Sequence, residues 1–214
     1  MMKILYHELD NSLDIDFESY LQLLPTQMQD EIRRYRNLND RKSRLISRLM
    51  LKSHLYSSNQ SSLIYSWNRD IHNKPFISNG INFNISHSGD IVLFATSNLP
   101  IGIDVEFKSD LNFDELIDFF HEQEISQISN SASIKSAFFE IWVKKEAFLK
   151  AIGIGLTIDI RKYNCSNKSI FYLNKEWFFH RIDISEEYES FVCCLESNPQ
   201  IHISKYIVNL KTLL

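Results

Sequence analysis

Residues 81–107 read INFNISHSGDIVLFATSNLPIGIDVEF. Ile81, Phe83 and Ile85 alternate with Asn82, Asn84 and Ser86, which predicts a strand with one buried face. His87-Ser88-Gly89-Asp90 predicts a turn, 91–97 (IVLFATS) a continuous apolar strand, and Asn98-Leu99-Pro100 a second turn. Residues 101–107 alternate again. Upstream, 3–9 predicts an opening strand. Residues 16–57 repeat apolar positions at three- and four-residue steps (Leu21, Leu24, Met28, Ile32, Tyr35, then Leu38, Leu45, Leu49, Leu55), the mark of helix. Residues 63–67 predict a short strand. Downstream, 113–129 and 134–152 predict helices and 158–208 several strands. The order strand, helices, strands, then helices, strands is an α+β pattern used twice. The expected division is 1–100 and 101–214.

The chain has 214 residues, 44% of them hydrophobic, and a formal net charge of −4. No run of 18 apolar residues predicts a membrane span, and the start MMKILYHELD lacks a secretory apolar core. The charge argues against general nucleic-acid binding, so an anionic ligand needs a local basic patch. Arg33, Arg34, Arg36, Arg41, Lys42, Arg44, Arg48 and Lys52 supply one. Cys165, Cys193 and Cys194 are the only cysteines. Neighbours in a strand point to opposite faces, so 193–194 is neither a disulfide nor a zinc pair. The expectation is a cytoplasmic chain with buried thiols. All five glycines (80, 89, 102, 153, 155) fall in one central window, which marks where backbone must bend or another group must come close.

Three motifs in that window carry chemistry. In 102–106 (GIDVE), Ile103 and Val105 face a core, while Gly102, Asp104 and Glu106 share the other face. Two carboxylates there repel unless a cation or protons intervene, and oxygen ligands of this kind suit Mg²⁺. Gly102 is expected to leave room for a ligand, and the carboxylates are expected to be solvated. The pattern also fits an ordinary solvated strand face. In 142–155 (WVKKEAFLKAIGIG), Trp142, Glu146 and Lys150 form one helical stripe, with Gly153 and Gly155 ending the helix. By itself this also reads as a surface pair. Third, Asn73-Lys74-Pro75 precedes 83–89 (FNISHSG), whose hydroxyls, imidazole and amides can grip phosphate. That segment is neither a serine nucleophile elbow nor a zinc site.

Together, NKP, FNISHSG, IGIDVE and WVKKEAFLKAIGIGL, in this order between 73 and 156, resemble the signature of the 4′-phosphopantetheinyl transferases of the longer, surfactin-synthetase-activating type. RRYRNLNDRKSR (33–44) resembles the basic early segment of that type. The resemblance implies a pseudo-dimer of two similar α+β halves with the site between them. It implies transfer of the phosphopantetheine arm of coenzyme A to a serine of an apo acyl or peptidyl carrier protein, releasing 3′,5′-ADP. Asp104, Glu106 and Glu146 match the Mg²⁺ ligands. Glu146 also matches the base for the serine, and Lys150 the group facing the departing phosphate. Ser86, His87, Lys74 and Lys145 match coenzyme A-contacting positions. Early-helix lysines that grip the 3′-phosphate in some members are replaced here by Met28 and Glu31, leaving Arg33, Arg34, Arg41 or Arg44 to take over that contact. Asn73 stands where glycine is usual, and Asn tolerates positive φ. A built-in pseudo-dimer favours a monomer, with no membrane or nucleic-acid partner. An apolar carrier-docking surface is expected around Phe113, Leu116, Phe119 and Phe120, residues that also read as core. A non-catalytic coenzyme A or carrier binder, and another Mg²⁺-dependent phosphodiester enzyme, remain as alternatives.

Overall fold

A computed structural model describes residues 1–10, 13–78, 80–110, 116–155 and 158–208. Strand β1 (Met2–Glu8) opens the chain. The 16–57 region divides into α1 (Leu13–Leu21), α2 (Thr26–Arg33) and α3 (Leu38–Ser57). Pro25 sits at the N-cap of α2, where its missing N–H costs nothing. The side chain of Asn37 accepts the N–H groups of Asn39 and Asp40 to start α3. These caps interrupt a pattern whose apolar periodicity runs on unbroken. The strand expected at 63–67 is instead a 3₁₀ turn (Ser61–Ser66) leading into β2 (Trp67–Arg69), which pairs with β3 (Pro75–Ile77).

Strands β4 (Asn82–Ser88), β5 (Ile91–Ser97) and β6 (Ile101–Phe107) follow, with β4 extending through His87 and Ser88, where a turn was expected, so that the turn is confined to Gly89-Asp90. The helix expected over 113–129 is shorter. Ile117–Phe119 is a 3₁₀ turn, and α4 spans Glu122–Ser129 behind a capping box between His121 and Glu124. Phe113 lies outside the described residues. Helix α5 (Ile134–Ile152) ends at Gly153, whose φ of 75° places it in the left-handed region. The chain closes with β7 (Ser169–Tyr172), β8 (Lys175–Arg181), β9 (Tyr188–Cys194) and β10 (Ile201–Lys205).

Two four-stranded sheets result, ordered β10-β1-β5-β4 and β6-β9-β8-β7. The chain passes between them at β5–β6. Strand β10 crosses back to pair in parallel with β1, so 201–205 belong to the first sheet. Each sheet has a long helix on its outer side. Leu45 and Leu49 of α3 share a core with Phe83 and Phe94, and Ala147 and Phe148 of α5 share one with Phe179 and Phe191. The inner faces meet through Ile4, Leu93 and Ala95 against Ile103, Val105 and Val192. The architecture is thus α+β, two sheet-and-helix halves back to back. Cys165, Cys193 and Cys194 are free and buried, and 193 and 194 enter different cores, as strand geometry requires. Among the described residues no helix is long and apolar enough to cross a membrane.

Candidate active site

Strands β4 and β6 lie side by side but belong to different sheets. Side chains close their seam. Asn84 Oδ1 accepts the Ile103 N–H at 2.9 Å. Ser86 Oγ donates to Asp104 Oδ1 at 2.7 Å, and Ser88 Oγ donates to Glu106 Oε2 at 2.7 Å while accepting the Phe107 N–H. The polar face of β4 is therefore buried against the second half.

Helix α5 packs on the same seam. Lys150 Nζ donates to Asp104 Oδ1 at 2.6 Å and to Ser86 Oγ at 2.9 Å. Gly102 allows this, though not by clearing space for a ligand. A Cβ there would overlap the Ala147 carbonyl oxygen and the Ala151 nitrogen, so glycine lets helix backbone touch strand backbone. Asp104 is only 2% exposed, so it is not solvated as expected. Its Oδ2 is buried with no hydrogen-bond partner.

Glu106 and Glu146 complete the carboxylate group. Burial first, then the charge of Asp104, pushes Glu106 up to about 7. The same two causes raise Glu146. Among the described residues no three carboxylate, histidine or cysteine groups stand at metal-ligand geometry as the side chains are placed.

Beside these groups is a cavity of about 260 Å³ lined by Asn84, Glu146, Lys150, Lys74, Asn73 and Gly153, among others. Larger cavities of about 440 and 480 Å³ lie elsewhere and include none of the carboxylates above. The Lys74 ammonium donates to the Lys150 carbonyl, and burial lowers its pKa. Asn73 holds φ at 63°, so it accepts the turn.

His87 points the other way along β4, toward α3. Burial, then Arg44 and Lys150, bring it down to about 4, so it is neutral. Arg44 stacks over the Tyr35 ring at 3.6 Å, and Arg41 lies 4.9 Å over Phe17 with its guanidinium 3.9 Å from Glu18. The Nε atoms of Arg41, Arg44 and Arg48 are buried without a protein partner. Arg33 is ion-paired with Glu18 at 2.8 Å. Lys145 is a correction. It is 0% exposed, ion-paired to Glu124 at 2.8 Å, and bonded to the carbonyls of Ile160 and Tyr163. One position along a helix turns a side chain by about 100°, which carries Lys145 away from the stripe of Glu146 and Lys150. Phe120 is core against Phe138, whereas Phe119 is 39% exposed at the edge of Trp142.

Several contributors escaped the sequence reading. Glu31 accepts from Trp67 Nε1 and Arg69, and lies 3.6 Å from buried Arg48. Burial opposes its charge, but these donors hold its carboxyl below the ordinary range. Nothing in the spacing of 31, 48, 67 and 69 signals that cluster. Asn84 and Ser88 were findable, since both share the β4 face of Ser86.

The family description "4′-phosphopantetheinyl transferase superfamily" matches residues 100–196, and "4′-phosphopantetheinyl transferase, N-terminal" matches 11–99. A 4′-phosphopantetheinyl transferase, gsp, of Aneurinibacillus migulanus is 31% identical over 211 residues, 92% of this chain and 88% of that one. The chain belongs to the 4′-phosphopantetheinyl transferase family. A second member, Sfp of Bacillus subtilis, is 26% identical over 69% of this chain and 68% of its own. A human L-aminoadipate-semialdehyde dehydrogenase-phosphopantetheinyl transferase is 34% identical over 38% of this chain and 30% of its own. The activity is the family's: phosphopantetheine passes from coenzyme A to a carrier protein.

Proposed function

We propose that this phosphopantetheinyl transferase runs its reaction in the cavity at the β4–β6 seam, with Asp104, Glu106 and Glu146 as the ligands of one Mg²⁺. The residues fit such an ion. They are oxygen donors only, they repel one another, and the Asp104 Oδ2 is buried and unpartnered. Bound there, Mg²⁺ would offset charge on the coenzyme A diphosphate.

The chain's own groups do the rest. Glu146, whose pKa burial and the charge of Asp104 raise above the ordinary carboxylate range, takes the proton of the carrier serine. The serine oxygen bonds to the β-phosphorus of coenzyme A and the bond to the 3′,5′-ADP oxygen breaks. Lys150, oriented by Asp104 and Ser86, faces that departing phosphate. Lys74 and Ser86 line its path. Arg44, whose charge acts on His87, and Arg41, three residues before it on α3, are the proposed anion contacts of the first half. One chain supplies both halves of the site, which favours a monomer, and three free, buried cysteines favour the cytoplasm. The apo carrier, whether of fatty-acid, polyketide or peptide synthesis, presents its serine there.

The observation that carries this reading is the Lys150–Asp104–Ser86 triangle beside Glu146. Weighing an apo carrier after incubation with coenzyme A and Mg²⁺ tests it. Addition of one phosphopantetheine mass is expected with the wild type and none after chelation. Asp104→Asn, which removes one proposed metal ligand and the anion that orients Lys150, lowers kcat/KM sharply at limiting Mg²⁺ and less at saturating Mg²⁺. Undiminished turnover by Asp104→Asn and Glu146→Gln at limiting Mg²⁺ rejects the assignment.

A further inference from the structure

One corner of the first sheet is polar where the rest of the same face is core. On that face Lys3 pairs with Thr96 and His202, and Leu5 with Phe94 and Ser204. Further across, the face carries Phe83 and Ile85, which pack under α3. At its far end α3 covers the corner with Ser53, His54 and Ser57, positions that share one side of a helix. Because β10 extends the sheet beyond the helix, a cavity of about 480 Å³ stays open between them. That is the size of a small-molecule site. It shares no lining residue with the cavity at the β4–β6 seam.

Its chemistry is one-sided. The ionisable side chains lining it include Lys3, His54 and His202, and no carboxylate is among them. Among the described residues the Lys3 ammonium has no hydrogen bond or ion pair. Its charge, after burial, presses the pKa of His54 down, so it stands close to that ring without a counter-ion. Tyr206, 7% exposed, lines the same space with a hydroxyl beside that of Ser53. Leu5 and Phe94 give an apolar floor.

We propose that this corner binds a small organic anion, a carboxylate or phosphate head on a short apolar body. Lys3, His54 and His202 surround the head, the Tyr206 hydroxyl donates to it, and the body lies on Leu5 and Phe94.

The test is titration of the full chain with sodium hexanoate, hexyl phosphate and inorganic phosphate. The readout is the ring NMR signals of His54 and His202, assigned with His54→Gln and His202→Gln. A saturable shift with hexanoate or hexyl phosphate is expected, weakened about tenfold in Lys3→Gln by loss of one charge-assisted bond, with transferase turnover unchanged. Tyr206→Phe, which keeps the ring, weakens it as well. Saturation by hexanoate alone identifies a carboxylate head; saturation by hexyl phosphate alone identifies a phosphate. No saturable shift with any probe overturns the proposal, as does affinity unchanged in both Lys3→Gln and Tyr206→Phe. Inorganic phosphate binding as tightly as hexyl phosphate overturns the apolar part.

Discussion

On α3, Arg41 lies over Phe17, Arg44 over Tyr35, and Arg48 is buried between Glu31 and Trp67. On α5, Lys150 reaches Asp104 on β6 of its own half and, across the seam, Ser86 on β4. Charges on the first helix are held by partners from their own half. On the second, Lys144 and Lys145 likewise stay with Glu140 and Glu124, while Lys150 crosses the seam to Ser86. A basic run and a Glu–Lys stripe look alike as charged helix faces in one dimension. What separates them is the tight seam at Gly102, for which α3 has no counterpart.

The comparison is tested first within α5 itself. Lys145→Met leaves Glu124 as an unpaired charge in a closed core and is expected to cost about 3–5 kcal/mol in urea unfolding. Turnover per folded molecule holds. Lost turnover at full stability would move Lys145 to the transfer site. Next, Gly102→Ala drives a methyl into helix backbone and costs about 1–3 kcal/mol, the range for overpacking. Unchanged stability would mean that α5 sits further from β6 than described.

His87 is where the two helices' charges meet. It takes up a proton near its ordinary 6.5 when unfolded but only at about 4 when folded, because of burial, Arg44 and Lys150. The unfolded chain therefore binds more protons between those values. Stability is lost as pH falls from 6.5 toward 4, and nothing changes above 6.5. His87→Gln flattens that limb in pH-dependent melting; an identical limb in the variant assigns the acid sensitivity to other groups. The smallest effect is expected for Arg44→Ala, about 0.5–1 kcal/mol of stability from the lost ring contact. It raises KM for coenzyme A while kcat holds, and an unchanged KM would remove Arg44 from the coenzyme A contacts.

The strands of 81–107 and the span of α5 were legible because alternation and apolar periodicity are local. So were the left-handed Asn73 and the carboxylates at 104, 106 and 146. The breaks at Pro25 and Asn37 were not, since the apolar period runs through them. The helix expected from 113 fails at His121 because the capping box there sets a new start. Glu31 is intelligible only once Arg48, Trp67 and Arg69 surround it.

By itself the sequence determined the two-fold α+β pattern, the carboxylate and lysine types of the site, and through its motifs the family. Tertiary structure alone decided which lysine of the pair 145 and 150 reaches Asp104 and why Gly102 is glycine. It also decided that Asp104 is buried rather than solvated. The reason is that strand and helix periods fix which way a side chain leaves its own element. Only packing of one half on the other fixes what it meets.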